Sequence, residues 1–455
     1  MTPIRRVLIA NRGEIAARIV RACRAMRIES VLAVSEADRD SLPARMADRA
    51  VCIGPAAPGE SYLRVETLIA ACIGTGADAL HPGYGFLSER AELAEACERG
   101  GIAFVGPSAD SIRRMGDKLA ARRIAAACGV ATLPGSQPVR SGGEAIGVAG
   151  RIGYPVLLKA SAGGGGRGMR VARAAEDLAR NFDTVSAEAH AAFGDGTIYV
   201  ERYIANARHV EVQVLGDVAG NVIHLGERDC SVQRRFQKVI EEAPSPVVPE
   251  RLRAALCDAA VMLARHIGYW SAGTVEFLLE QDSERFYFLE MNTRIQVEHP
   301  VTEEISGIDL VQEQLRVAGG APLRLTQDAV RLSGHAIECR INAESPERGF
   351  APSPGRIGDW QVPREDGVRV DTHCYAGYFV APYYDSLLAK VVARGADRAQ
   401  AIARMRNALE TFAVTGLETN LAFHRRVLDH ADFRNASINT RWLEEVVLAG
   451  AGRAA

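Results

Sequence analysis

The chain has 455 residues, room for about three domains of ~150 residues and for a core that needs no disulfide or metal staple, which excludes peptides and single-module binders. Its 54 Lys+Arg nearly cancel its 56 Asp+Glu, for a formal net charge of −2, so no bulk charge draws it to nucleic acid or an anionic membrane. The first apolar run (7–10) stops at Asn11 and Arg12, short of the ~7–15 residues of a signal-peptide core, and no window approaches the ~18 of a spanning helix; a cytoplasmic location is expected. In chain order, β-rich runs at 7–10, 31–34, 51–53, 77–80 and 102–105 alternate with helical patterns. Ile15, Ile19, Ala22 and Met26 make the first of these, and 65–72 and 89–99 follow. This predicts a β/α domain with a mostly parallel sheet. Its first strand-to-helix turn, Asn11-Arg12-Gly13-Glu14, lacks Gly-x-Gly-x-x-Gly and disfavours a dehydrogenase.

A second region starts at Gly116 with a helix over 117–128. Pro134, Gly135, Pro138, Gly142 and Gly143 then read as a hinge into a mobile subdomain. Strands at 154–160 and 168–172 flank a glycine loop, a helix lies near 175–190, and strands follow at 198–204, 209–215 and 222–227. The turn at 217–221 gives this region antiparallel character. A third region, from Ser333, mixes short strands with a final helical stretch around 399–411. The nine cysteines are odd in number and lack any Cys-x-x-Cys pair, so they read as buried reduced thiols. Among 54 basic residues only Lys118, Lys159, Lys238 and Lys390 are lysine. The motif positions of three of them suggest sites that need a compact ammonium donor.

Lys159 ends an apolar strand and is followed by four consecutive glycines, 163–166. Bare amides there can close on phosphate oxygens beside the lysine charge. No Gly-Lys-Ser/Thr follows, so a flap over a nucleotide fits better than a Walker A loop, with a plain surface loop as the alternative. In Glu290-Met-Asn292-Thr-Arg294-Ile-Gln296-Val-Glu298 polar residues recur at period two. If extended, these five point to one face, a set of hard oxygen ligands and an arginine suited to Mg²⁺-phosphate chemistry. Glu276, on a predicted strand at 274–279, is a natural further ligand. His209, Glu211 and Gln213 alternate onto one strand face, and 227–238 reads as a charged surface loop in which Cys230 is an inert thiol. His81-Pro-Gly83-Tyr84-Gly85-Phe86 is a rigid turn that exposes Tyr84.

Ordered along nearly the whole chain, Ile9-Ala-Asn-Arg-Gly-Glu-Ile-Ala16, His81–Glu89, the glycine loop, Arg228-Asp-Cys-Ser231 and Glu290–Pro300 resemble biotin carboxylase, an ATP-grasp enzyme and the first component of acetyl-CoA carboxylase in fatty acid biosynthesis. The resemblance implies mixed α/β and α+β architecture. It implies a Rossmann-like N-terminal β/α domain (1–116), an ATP-grasp domain (117–330) with a mobile lid at about 131–204, and a C-terminal biotin carboxylase domain (331–446). It also implies that Lys118, Lys159, Gly165, Gly166, Glu201, Arg202, Tyr203, Ile204, His209, Gln233, Glu276 and Glu290 hold ATP, with 201–204 around the adenine. Glu276, Glu290 and Asn292 would hold Mg²⁺ or Mn²⁺; Lys238, Arg294, Gln296, Val297 and Glu298 would hold bicarbonate; Arg340 and Tyr84 would meet biotin.

By the same resemblance the catalytic residues are Glu298, Lys238, Arg294 and Arg340. Glu298 deprotonates bicarbonate for attack on the γ-phosphate, giving carboxyphosphate, and Arg340 stabilises the biotin enolate that captures CO₂. Such chemistry needs a closed, dry site. Three positions depart from the family pattern: Phe236 where a polar residue, commonly His, is usual, Ala162 for a glycine, and Arg202 for a frequent lysine. None of the four lysines has the flanking methionines of a biotin attachment site. Biotin is therefore expected on a separate biotin carboxyl carrier protein, with the carboxyltransferase in other subunits and the chain itself a homodimer. Alternatives are the same half-reaction serving propionyl-CoA, pyruvate or urea, and a nucleotide-binding paralogue without turnover.

Overall fold

In the computed structural model residues 4–161 and 168–449 are described; the Gly165 and Gly166 assignments and the Ala162 departure lie outside them. Val7, Leu8 and Ile9 in β1 (Arg6–Ile9) are fully buried, as a parallel strand covered on both faces requires. β1 pairs in parallel with β2 (Glu29–Val34) and β4 (Ala79–His81), and β3 (Arg49–Cys52) and β5 (Ala103–Phe104) complete the sheet in the order β3-β2-β1-β4-β5. The helix Gly13–Ala25 lays Ile15, Ile19, Val20 and Cys23 on it, so the predicted β/α alternation is present.

β6 (Val156–Ala160), β7 (Met169–Ala172) and β8 (Ile198–Arg202) form a separate antiparallel sheet in the order β7-β6-β8. The helices Gly142–Ile152 and Ala175–Phe193 cover it, and Val148, Val156, Leu158, Leu178, Val185 and Val200 give this layer a core of its own.

The longer of the remaining strands make one antiparallel sheet, and short two-stranded ribbons such as Glu344–Ser345 with Ala351–Pro352 lie outside it. The strands of the sheet are β9 (Ala207–Gly216), β10 (Val222–Arg234), β11 (Gln237–Ala243), β12 (Ser271–Glu280), β13 (Arg285–Asn292), β14 (His335–Asn342), β15 (Val368–Thr372) and β16 (Leu387–Gly395). Their order is β13-β12-β9-β10-β11-β14-β16-β15, so the sheet runs unbroken past residue 331. Its two faces differ by the strand period of two. Val210, Val212, Val214, Val275 and Phe277 pack under the helix Glu250–His266, and Ile337, Cys339, Ile341 and Val391 under Arg398–Thr411. His209, Glu211, Gln213, Glu276, Glu338, Arg340 and Lys390, one residue out of phase, line the opposite face. Among the described residues no helix is long and apolar enough to cross a membrane.

Four expectations need correction. Residues 227–238 are not a surface loop: β10 continues to Arg234, the turn is only Arg235-Phe236, and Arg228 and Asp229 are buried. Their charge is legible as loop, yet it is neutralised across neighbouring strands. Both turn residues have left-handed φ, 49° and 64°, as a two-residue hairpin turn demands. The segment after Asn292 leaves the strand and reaches the helix His299–Ser306 through bends, with Ile295 turned into the core. Helices Leu421–Asp429 and Ala431–Arg434 follow the stretch expected to be last. Cys52 is exposed and Cys128 half-buried, while the other seven cysteines are buried thiols.

Candidate active site

Arg228 of β10 is fully buried and uses every arm of its guanidinium. Nε donates to Glu211 Oε1 (2.6 Å), Nη1 to Gln213 Oε1 (2.7 Å) and Thr302 Oγ1 (3.0 Å), and Nη2 to Thr274 Oγ1 (3.0 Å) and Gln296 Oε1 (2.8 Å). A planar fork of donors can tie four segments together in this way. It thereby fixes the polar face on which the remaining charges converge.

Lys238 is the centre of that convergence. Its three ammonium protons go to Glu211 Oε2 (2.5 Å), Glu276 Oε1 (2.8 Å) and Glu298 Oε1 (2.7 Å). Burial opposes the charge, but Glu211, Glu276 and Glu298 hold the ammonium well above its ordinary range. The same contact, with Arg228, holds Glu211 below the usual carboxylate range against its burial. His209 Nε2 lies 3.1 Å from Glu276 Oε2, and, against burial, Glu276 leads in raising the imidazole to about 9. The Gln233 amide nitrogen sits 2.9 Å from His209 Nδ1.

Glu276 also accepts from Asn292 Nδ2 and Gln296 Nε2, both at 2.9 Å. Its register partner across β12–β13 is Glu290. Two carboxylates directly opposite repel one another, and among the described residues the cation paired with Glu290 is Lys118, with Nζ 4.0 Å from Oε2. This is the donor chemistry of a hard divalent cation, and Asn292 stands beside it. The ligand atoms of His209, Glu211 and Glu276 lie within 4.8 Å of one another. Arg294 leans outward, donating to Glu89 Oε2 (2.8 Å) and Asn292 Oδ1 (3.1 Å), so the His81–Glu89 segment contributes directly to the site.

Glu298, 2 % exposed, lies between Lys238 and Arg340, whose Nη2 is 2.9 Å from Oε2. Burial would raise its carboxyl, but Lys238, Arg340 and Arg228 together outweigh this and leave it below its ordinary value, ionised at neutral pH. A cavity of about 30 Å³ beside Lys238 and Arg340 has room for roughly one water. The Val297 carbonyl accepts from Lys390 Nζ (2.8 Å), which also lies 3.1 Å from Glu14 Oε1. Tyr84 reaches the same Glu14 through its hydroxyl. Asn11 Nδ2 donates to the carbonyls of Pro82 (2.7 Å) and Tyr84 (2.8 Å), and Gly83 has φ +62°, where an added Cβ would sit 3.0 Å from Asn11. Only glycine closes this turn under Tyr84. Tyr84, expected to be exposed, is instead half-buried because its hydroxyl is drawn in to Glu14, and it borders a cavity of about 130 Å³ lined by Asn11, Arg12, Glu14, His373 and Asp385.

On the other side of the Glu276–Glu290 pair, Lys159 of β6 is 4 % exposed and 3.4 Å from Glu201 Oε2, a carboxylate also paired with Arg122. Burial, reinforced by the positive charge of Lys118, brings Lys159 down to about 7. Arg202 ties β8 to β12 through Glu280 (2.7 Å), Tyr203 is half-buried, and Ile204 packs with Leu133, Ala207 and Tyr287. Phe236, at the hairpin tip, is 48 % exposed.

The described candidates thus form two adjoining groups. One is Lys118, Lys159, Glu201 and Glu290; the other is His209, Gln233, Lys238, Glu276, Asn292, Arg294, Gln296, Glu298 and Arg340. Arg202, Tyr203 and Ile204 flank the first, and Tyr84 joins the second only through Glu14 and Lys390. Sequence reasoning left out Lys390, Glu14, Glu241 and Glu338 and gave Arg228 no role. Lys390 had a signal, as one of only four lysines; the buried glutamates had none.

The fold and this site define an ATP-grasp enzyme. Residues 117–326 match the family described as "Carbamoyl-phosphate synthase L chain, ATP binding domain". Residues 3–112 and 338–445 match "Biotin carboxylase, N-terminal domain" and "Biotin carboxylase C-terminal domain". Biotin carboxylase 1 of Bacillus subtilis is 52% identical over 98% of this chain and 100% of its own length. A pyruvate carboxylase subunit of Methanothermobacter thermautotrophicus is 49% identical over 97% of this chain and 89% of its own. The solved biotin carboxylase domain dimer of Hydrogenobacter thermophilus 2-oxoglutarate carboxylase, in complex with MgADP, ADP and bicarbonate, superposes with a TM-score of 0.95 at 47% identity over 98% of both chains. The chain belongs to the biotin carboxylase family.

Proposed function

We propose that this chain carboxylates the biotin of a separate carrier protein, using ATP and bicarbonate, as the first half-reaction of acetyl-CoA carboxylase. The observation that carries the reading is Glu298 held ionised between Lys238 and Arg340, next to the Glu276–Glu290 pair. In the reaction Glu298 takes the bicarbonate proton, and the bicarbonate oxygen attacks the γ-phosphorus as its bond to ADP breaks, giving carboxyphosphate. Lys238, Arg294, Gln296 and the Val297 backbone hold the anion. Carboxyphosphate then splits to CO₂ and phosphate; the phosphate takes the ureido N–H proton, Arg340 stabilises the enolate oxygen, and the ureido nitrogen attacks CO₂. Biotin enters past Tyr84. Lys118, Lys159, Gly165, Gly166, His209 and Gln233 hold ATP, with Glu201, Arg202, Tyr203 and Ile204 around its base. Glu276, Glu290 and Asn292 would hold Mg²⁺ or Mn²⁺, which when bound neutralises phosphate oxygens.

In this reading the divisions 1–116, 117–330 and 331–446 are the functional domains. The β6–β8 layer, with its own core, is the lid that excludes water. The carrier protein and carboxyltransferase are separate cytoplasmic partners, and the chain is a homodimer. A second reading, the same half-reaction serving a 2-oxo acid carboxylase, is favoured by the two relatives with pyruvate and 2-oxoglutarate carboxylase names.

ADP release by the purified chain with MgATP, bicarbonate and free biotin, each omitted in turn, tests the reaction. Release that rises only with all three present supports it. Nucleotide binding without turnover under any condition supports the non-catalytic paralogue. Adding candidate carrier and carboxyltransferase subunits with acetyl-CoA or a 2-oxo acid separates the acceptors.

A further inference from the structure

Behind Glu298 and Arg340 lie two carboxylates that the reaction above does not use. The β10–β11 register shifts between Gln233↔Lys238 and Val232↔Ile240, leaving Val239 as an extra residue in β11. Such a bulge returns Glu241 to the face that carries Lys238. Across β11–β14 Glu241 is paired directly with Glu338, and Arg340 is the next residue of β14 on that face. Both glutamates are 0 % exposed. Among the described residues neither Glu338 oxygen nor Glu241 Oε2 has a hydrogen-bond partner, and Glu241 Oε1 meets only Arg340 Nη2, at 2.5 Å in an ion pair.

The groups facing the pair are Lys238 on β11, Cys230 on β10, Arg340 on β14, Lys390 on β16, and Glu298 with His299 at the adjoining helix. Lys238 is already committed to Glu211, Glu276 and Glu298, and Lys390 to Glu14 and the Val297 carbonyl. The Cys230 thiol and the His299 imidazole are held neutral by burial. Arg340 is left as the leading cation at Glu241, while Lys390, ahead of Arg340, is the leading positive charge at Glu338 and donates no hydrogen bond to it. Two adjacent buried carboxylates with so little compensation lose their hydration for nothing in return when both ionise. One proton between them removes a charge and supplies the missing donor.

We propose that Glu241 and Glu338 share one proton in the working enzyme and act as positioning residues for Arg340, so that the guanidinium faces one negative charge from the pair and not two. This rests on the biotin carboxylation reading. Once Glu298 has taken the bicarbonate proton, Arg340 can then meet the enolate oxygen without a surplus of negative charge behind it. Burial is the main cause that holds Glu338 well above the usual carboxylate range and brings Glu241 up to about 7. The pair ionises in two steps that belong to both residues. The second step places a further negative charge beside Arg340 and ends its use, which sets an alkaline limb.

The test is biotin-dependent ADP release from neutral to alkaline pH for the unaltered chain, Glu338→Gln and Glu241→Gln. The amide at 338 cannot ionise. One pH unit above the midpoint of the unaltered chain, where that chain has lost about tenfold in kcat/KM for free biotin, Glu338→Gln stays within about twofold of its own plateau. Glu241→Gln raises KM for biotin severalfold while KM for MgATP stays within about twofold. The same alkaline limb in Glu338→Gln, or KM values for biotin and MgATP that rise together, overturns the proposal. If the variants do not fold, infrared difference spectra of the unaltered chain decide. A buried protonated carboxyl band that disappears on going alkaline supports proton sharing, and its absence overturns it. Failure of the unaltered chain to release ADP with biotin refutes the carboxylation reading itself, and the infrared band still decides the sharing of the proton.

Discussion

Lys159 offers a quantitative test of the nucleotide site. Its amine is nearly out of water, and its close carboxylate, Glu201, is shared with Arg122. Burial first, then the charge of Lys118, lowers it to about 7. In the empty site at pH 8 only about 0.1 of Lys159 is protonated. A polyphosphate against the amine restores the ammonium, so binding takes up about 0.9 proton at pH 8, about 0.5 at pH 7 and about 0.1 at pH 6. Apparent affinity accordingly falls by up to about tenfold per pH unit above 7. For folding the sign is opposite. Between about 7 and the ordinary lysine value of 10.5 the unfolded chain binds the extra proton, so this residue makes the empty protein more stable as pH rises through that window. Isothermal titration of MgADP at pH 8 in buffers of different ionisation enthalpy measures the uptake as a slope. Lys159→Arg, charged throughout, should bind with no uptake from this position. A slope near zero in the unaltered chain, or the same slope in Lys159→Arg, refutes the reasoning.

Other perturbations probe the rest of the site. Glu298→Gln should lower bicarbonate-dependent ADP release by about 10²–10⁴ while MgADP affinity stays within about twofold; unchanged turnover removes Glu298 as the base. Lys238→Gln leaves Glu211, Glu276 and Glu298 facing one another. Urea unfolding should register a loss of about 3–5 kcal/mol, partly recovered by added Mg²⁺, and unaltered stability contradicts the convergence described. Phe236→His should tighten apparent ATP binding severalfold, about one hydrogen bond in strength, and unchanged nucleotide affinity refutes it. Glu242 accepts from His335 (2.7 Å) and Arg398 (2.6 Å), and these partners outweigh burial to bring its carboxyl down to about 2. A folded value below the unfolded one gives stability that is present above about 4.5 and lost as pH falls toward 2, about 3 kcal/mol at most. Glu242→Gln should flatten that part of the stability curve, and parallel acid curves for the two proteins exclude the pair as its source.

What could be read from sequence follows from what repeats locally. The β/α alternation near the N-terminus was legible because Val7, Leu8 and Ile9 are apolar without interruption and Ile15 and Ile19 recur at helical spacing. The strand over His209, Glu211 and Gln213 was legible because its partners in alternation are valines. Arg228 was misread because charge usually means solvent. Here the compensating Glu211 lies on another strand, and nothing local announces the pairing. The same reasoning explains the misreading after Asn292: Gln296 does meet Glu276, but through bends that period-two alternation cannot anticipate. Glu241 and Glu338 were invisible for a stronger reason, since their meaning depends on a one-residue bulge and on a register between strands almost a hundred residues apart.

The scarcity of lysine acquires a physical sense from this face. Where one cation holds several planar acceptors in one plane the chain uses arginine, as at Arg228. At Lys238 three carboxylate oxygens from β9, β12 and the segment before His299 approach a single point from different directions. An ammonium offers three donors diverging from one atom, whereas a guanidinium offers donors confined to a plane. Lys390 meets a carbonyl and a carboxylate in the same manner. Lys159 makes a different use of the ammonium, because it can lose its proton when buried and a guanidinium cannot. Among the four lysines of the chain, Lys238 and Lys390 stand where acceptors converge on a point, and Lys159 where the proton can leave.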